Sequence, residues 1–237
     1  MKETRPMANI AKNIVPPQPD QSILEFYRGY YDCVYIILHP FIKVIHPGKL
    51  KFSEENWPTK EDYVKYSEKL LWNEFLNLSG LGDINRLDIA LRNSIGGLVA
   101  KHVNKDDVNI LGKTIEINNL FEPGEGNFSP LLIDDLLKAL IDLGHQWIYI
   151  GDEHGFERRM EYIPDIIDNK VQVNFHHESW YTMMNEVLIT THWDSHFTFL
   201  CSDRKTINAI LKKYPFEGFY CTPETQVYWS INSTALT

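Results

Sequence analysis

Residues 185–231, NEVLITTHWDSHFTFLCSDRKTINAILKKYPFEGFYCTPETQVYWSI, decide the fold of this 237-residue chain. Glu186 to Thr191 and His196 to Cys201 are strand-like runs separated by a few polar residues, which is hairpin geometry. Ser202-Asp203 then caps a helix with Ile207, Ile210 and Leu211 inward and Lys212-Lys213 at its negative end. Gly218 to Cys221 and Gln226 to Ile231 read as two more strands about a Thr222-Pro223-Glu224 turn. The expectation is a C-terminal ββαββ unit.

Upstream, the pattern turns helical. Thr59 can cap a helix in which Tyr63, Ser67, Leu70, Leu71, Phe75 and Leu78 recur at helical spacing until Gly80 and Gly82 end it. A second helix is expected from about Asp83, with Leu87, Leu91, Ile95, Leu98 and His102 on one side. Its Gly96-Gly97 pair costs about 1 kcal/mol per glycine relative to alanine, so close packing against a neighbour is the reason to expect for it. Lys113 to Asn118 alternates as a short strand would. Ser129-Pro130 signals a helix running to Leu143, Gln146 to Ile150 a buried strand, Glu157 to Asp168 a short helix broken at Pro164, and Val171 to Phe175 a further strand. Residues 23–45, rich in aromatic and branched side chains, fit helix or strand equally, although His39-Pro40 disfavours helix at His39. The sum is an α+β protein: a helix-rich N-terminal half packed on a mainly antiparallel sheet from the C-terminal half. Residues 1–20, proline-rich near their end, are expected to be a disordered or loosely docked arm, and 21–237 a single domain.

Bulk properties restrict the function. With 23 Lys and Arg against 32 Asp and Glu, the formal charge is -9. Such a chain repels phosphate backbones, so nucleic acid and anionic membranes are not expected partners, whereas a basic protein is. No apolar run follows Lys2 and Arg5, which speaks against a signal peptide. The stretch from Val34 to Ile45 is broken by His39-Pro40 and Lys43, short of the roughly 18 residues a membrane span needs. Cys33, Cys201 and Cys221 are few, widely spaced and without a CxxC, which fits reduced thiols in a cytoplasm.

Several segments carry a likeness. Leu38-His39-Pro40-Phe41-Ile42-Lys43, Leu87-Asp88-Ile89-Ala90-Leu91-Arg92, Phe128-Ser129-Pro130-Leu131-Leu132, Gly151-Asp152-Glu153 and Glu217-Gly218-Phe219-Tyr220-Cys221-Thr222-Pro223-Glu224-Thr225 resemble an uncharacterised family of Bacillus-type proteins known only as a domain of unknown function. The resemblance extends from about Ser22 onward and implies no catalytic residue. The C-terminal third is also similar in style to bacterial polymorphic-toxin immunity proteins, in which a strand pair, a helix and a closing strand pair recur.

Histidines crowd the region 145–196: His145, His154, His176, His177, His192 and His196. If Trp193-Asp194-Ser195 is a three-residue loop, His192 and His196 flank it as cross-strand neighbours roughly 5 Å apart at Cβ. A metal-assisted hydrolase using His192, His196 and either Asp152 or Glu178 is therefore one reading. The sequence has no HExxH or HxH, however, so no metal and no cofactor is expected. Asp152, Glu153 and His154 are catalytic candidates, because a carboxylate beside an imidazole at a strand end suits proton transfer. Gly-Asp-Glu-His-Gly is equally an ordinary polar turn. Gly124-Glu125-Gly126 lacks the Lys-Ser/Thr of a phosphate loop, and its glutamates would repel phosphate.

Trp180, Tyr181, Trp193, Phe197, Phe199, Phe219, Tyr220, Tyr228 and Trp229 crowd the last third. If one sheet face is open, some of them form an exposed patch suited to binding protein. If helices cover that face, they are core. The leading expectation is a non-enzymatic, immunity-type protein that binds a basic partner through Trp193, Asp194, His192, His196 and Tyr228.

Overall fold

The computed structural model describes residues 12–19, 21–50, 57–98, 102–171, 173 and 177–232. In chain order the elements are α1 (Ile23–Phe26), β1 (Cys33–Leu38), β2 (Phe41–Val44), α2 (Lys60–Tyr66), β3 (Ser67–Leu70), α3 (Trp72–Ser79) and α4 (Ile84–Ser94). They continue with α5 (Lys105–Asn118), β4 (Leu120–Phe121), α6 (Ile133–Asp142), β5 (Trp147–Asp152), β6 (Arg158–Tyr162) and α7 (Ile163–Ile167). The last are β7 (Glu178–Thr182), β8 (Leu188–Thr191), β9 (Phe197–Ser202), α8 (Arg204–Lys213), β10 (Gly218–Tyr220) and α9 (Trp229–Asn232). This is an α+β fold. A seven-stranded sheet, ordered β10-β1-β9-β8-β7-β5-β6, is antiparallel at every pairing, and a three-stranded sheet, β3-β2-β4, stands apart from it.

Alternation along β1 shows how the layers form. Val34, Ile36 and Leu38 join a core with Phe26, Trp72, Phe75, Leu87, Leu91 and Leu111. Cys33, Tyr35 and Ile37 join another with Leu136, Leu140, Ile163, Ile166, Ile207 and Ile210. Helices thus cover both sheet faces, and a strand buried on both faces reads as a continuous apolar run. That is why residues 23–45 gave no period in the sequence, and β1 brings an N-terminal strand into a sheet otherwise built from the C-terminal half. Trp180, Tyr181, Phe197, Phe199 and Trp229 are buried here, so most of the aromatic set is core and not an exposed patch.

Several expectations are corrected. Gln226 to Ile231 is not a closing strand: Gln226 forms a single bridge with Ser22, and the chain then turns into α9. The unit is ββαβ followed by a short helix. The helix expected across 60–79 is interrupted by β3, because Ser67 to Leu70 complete the edge of β2, with Lys43 and Glu68 paired at 2.7 Å. Gly96 and Gly97 end α4 instead of packing within it. Lys113 to Asn118 is the end of α5, whose start Asn104 caps by accepting from the amides of Asp106 and Asp107. Ser129-Pro130 begins a turn ahead of α6. Pro164 opens α7 rather than breaking it, and β6 precedes it. The strand expected at Val171 to Phe175 falls largely outside the described residues. Of the stretch expected to be a loose arm, residues 12–19 are seated: Val15 is buried, and its carbonyl accepts from Tyr27 Oη at 2.8 Å. No helix among the described residues is long and apolar enough to cross a membrane.

Candidate functional site

The strand ends of β5, β7, β8 and β9 meet at one end of the large sheet, and there the loop 122–127 is fastened to the hairpin tip 192–196. Gly126 N donates to Ser195 O at 3.0 Å, while Gly126 O accepts from His177 N and from Thr191 Oγ1, each at 3.0 Å. The approach is close enough that a Cβ on Gly126 would stand 2.8 Å from Trp193 O and 3.2 Å from His177 Nε2. Glycine is required there both for the contact and for its φ of +63°.

Under the tip lies a polar layer. His196 is buried and donates from Nδ1 to Pro123 O at 3.0 Å. His39, also buried, shares a 2.7 Å hydrogen bond between Nε2 and Thr198 Oγ1. His192 is buried, and its Nδ1 accepts from Asp194 N at 3.3 Å. Burial pushes all three imidazoles down, His39 to about 3 and His192 to about 4, and keeps them neutral. On α4, Asp88 and Arg92 form a fully buried ion pair at 2.8 Å. Arg92 also donates to Asp194 O at 2.7 Å and Val227 O at 2.9 Å, and its guanidinium lies 4.6 Å from the Tyr228 ring. Ser230 Oγ donates to Asp88 at 2.6 Å, and Tyr228 Oη to Asp194 Oδ2 at 2.9 Å. Arg92 therefore ties α4, the hairpin and the C-terminal segment together.

Beside the tip opens a cleft of about 460 Å³ lined by Asp152, Glu153, His154, Arg158, Arg159, His177 and Glu178, among others. Asp152 ends β5 and accepts from the amides of His154 at 2.7 Å, Phe156 at 3.2 Å and Glu157 at 2.7 Å. Burial works to raise its carboxyl, yet these amides outweigh burial and hold it below the usual range. Asp152 is the turn's anchor. Glu153 reaches His177 Nδ1 at 2.7 Å and His154 Nε2 at 3.4 Å. Glu178 accepts from Arg159 at 3.1 Å and from Trp180 Nε1 at 3.2 Å.

The sequence-derived candidates thus divide into two neighbouring groups. Asp152, Glu153, His154 and Glu178 line the cleft, while His192, Trp193, Asp194, His196 and Tyr228 build the tip. His192 and His196 are not cross-strand neighbours about a three-residue loop. The register sets Thr191 opposite Thr198, so the loop is longer than three residues, and both rings point into the interior. Nor do they gather with Glu178 or Asp152: among the described residues no group of three or more His, Cys, Asp or Glu stands where it could hold a metal ion. Glu178 is held by Arg159 and Trp180 and Asp152 by backbone amides, and His176 lies outside the described residues.

Asp88, Arg92, His39, Ser230 and the Glu153–His177 pairing escaped the sequence reading. Only the first two left a signal, an Asp and an Arg four residues apart in a segment that reads as helix. His177 has a positive φ of 52°, uncommon for a residue other than glycine, and no pattern in one sequence announces it.

Fold and site together define an α+β protein with a helix-covered antiparallel sheet and, at one sheet end, a glycine-fastened loop beside a polar cleft. The chain belongs to the family described as protein of unknown function DUF2711, which it matches over residues 19–231. No curated protein and no solved structure matches it.

Proposed function

We propose that the protein is a non-enzymatic binding protein, of the immunity type its C-terminal third resembles in style, and that it meets a basic protein partner at the hairpin tip. One observation carries the reading. Trp193 stands 38% exposed on a tip whose backbone is fastened by loop 122–127 and by Arg92, so an aromatic anchor is held rigid before contact. Carboxylates flank it. Glu125 is raised by burial and then by the nearby charge of Asp194, an arrangement that a cation from a partner would relieve. The chain's formal charge of -9 adds long-range attraction for such a partner. His192 and His196, both buried, support the tip from beneath.

Capture from host lysate at low salt should recover one basic protein in stoichiometric amount, and Trp193→Ala should lose it with an unchanged Tm. A column that stays empty at low salt removes this reading. The 2.7 Å contact between Glu153 and His177 in the cleft favours one alternative, proton transfer on a small substrate. It requires turnover of an ester or phosphoester by the purified chain that His177→Gln abolishes. A wild-type chain inert across such a panel rules it out.

A further inference from the structure

The hairpin tip shares its end of the large sheet with a second rigid turn. β5 ends and β6 begins there, and the turn between them carries Phe156, 70% exposed. Asp152 holds this turn by accepting from the amides of His154, Phe156 and Glu157, while Gly155 N donates to Asp152 O at 3.1 Å and Asp152 N to Glu157 O at 3.2 Å. An apolar ring fixed in water in this way gains from burial and loses little freedom on contact. Neighbouring groups run from one aromatic to the other along the cleft. The Phe156 ring stands 5.8 Å from that of His154, His154 Nε2 3.4 Å from Glu153, and Glu153 2.7 Å from His177 Nδ1. His177 N then donates to Gly126 O, and Gly126 lies against the backbone of Trp193.

The charges along this path are unevenly engaged. Arg159 lies 3.2 Å from Glu161 and 3.1 Å from Glu178, and the Arg158 guanidinium lies 4.7 Å from the Tyr149 ring. By contrast, the side chains of Glu157, next to Phe156, and of Glu125, next to Gly126, make no hydrogen bond or ion pair among the described residues. The cations of the cleft are thus held within the chain, and a carboxylate is left over near each aromatic. We propose that Phe156 is a second anchor for the basic partner, which lies across the cleft from Trp193 to Phe156 and sets cationic side chains against Glu125 and Glu157. This rests on the hairpin tip being a binding site and extends that site to the neighbouring turn. Two aromatic anchors on separate rigid turns fix the partner's direction as well as its position, and the carboxylates select a segment with lysine or arginine near both ends of the span.

Photo-crosslinking of the full chain in host lysate at low salt tests it. Phe156→p-benzoylphenylalanine should trap one basic protein, and adding Trp193→Ala to that chain should abolish the crosslink. Met184→p-benzoylphenylalanine is the control, since Met184 is 78% exposed on the β7–β8 turn at the opposite sheet end, and it should trap nothing. With the trapped protein purified, Phe156→Ala should weaken binding at least about tenfold with Tm retained, and Glu125→Lys with Glu157→Lys should weaken it by as much. A crosslink that survives Trp193→Ala overturns the proposal, as does one made equally well from Met184 or an affinity that Phe156→Ala leaves unchanged. If the chain captures a protein that Trp193→Ala loses but position 156 never traps, the second anchor falls and the tip reading stands. If no chain captures anything, both fall together.

Discussion

Gly126 shows how one residue can set the geometry of the site. Its φ of +63° disfavours any side chain, and a Cβ would meet the carbonyl oxygen of Trp193, which belongs to backbone and cannot swing away. Gly126→Ala should therefore cost about 2 kcal/mol or more, from left-handed strain of roughly 1–2 kcal/mol and the displacement of the tip. Urea unfolding measures it, and a loss below about 0.5 kcal/mol would mean that loop and hairpin are not fastened as described. The neighbouring Asp88–Arg92 pair acts differently. Two fully buried charges lose about as much hydration as their attraction returns, so the pair's main effect is placement: it aims Arg92 at Asp194 O and Val227 O. At this scale the sequence was partly legible. Gly151-Asp152 could be read as turn chemistry, which is what Asp152 performs. The pairing of Glu153 with His177 was not legible, because residues 24 apart meet only through the register of β5 with β7.

Among elements, the N-terminus of α3 has an unusual cap. Leu71 offers no side-chain acceptor, and the amides of Trp72 and Asn73 donate instead to the Glu217 carboxylate at 2.6 and 3.0 Å. The same residue begins the approach to β10, where Gly218 lies so close to β1 that a Cβ would fall on Ile36 O. Glu217 thus fastens the small-sheet side of the fold to the edge of the large sheet. Glu217→Gln should cost about 1 kcal/mol and Glu217→Ala somewhat more, within the roughly 0.5–2 kcal/mol of a lost cap. Thermal melts read the difference, and no change in either variant would show that water serves the amides equally well. The break between α2 and α3 has the same long-range origin: Ser67 to Leu70 have helical spacing, but the open edge of β2 outcompetes one more helical turn. Likewise Gln226 to Ile231 alternate as a strand would. Arg92 takes the Val227 carbonyl and Asp88 takes Ser230 Oγ, so side chains on α4 draw this part of the segment away from a strand ladder.

For the whole molecule, the central sheet buries histidines as well as hydrophobic residues, and this gives stability a pH dependence of known sign. The ββα course of the hairpin and α8 was legible because capping and alternation are local; that both sheet faces are covered was not, since the covering helices come from distant segments. The consequence is that His39, His192 and His196 sit where desolvation penalises their charged forms. In the unfolded chain they bind protons below about pH 6.5, whereas in the folded chain His39 waits until about 3 and His192 until about 4. Between those limits the unfolded state holds more protons, so stability falls as pH falls, beginning near pH 6.5 and complete near the folded values. Asp142, Asp152 and Asp203, whose carboxyls are held below their ordinary value, lose their contribution only at lower pH, which separates the two effects. At about pH 5 His39 and His192 should each cost on the order of 2 kcal/mol relative to pH 7. Urea midpoints should therefore drop steeply between about pH 6.5 and pH 5, and His39→Gln, which keeps a neutral partner for Thr198, should flatten that slope. A midpoint constant across the interval would mean that water reaches these imidazoles and that the layer beneath the hairpin tip is open.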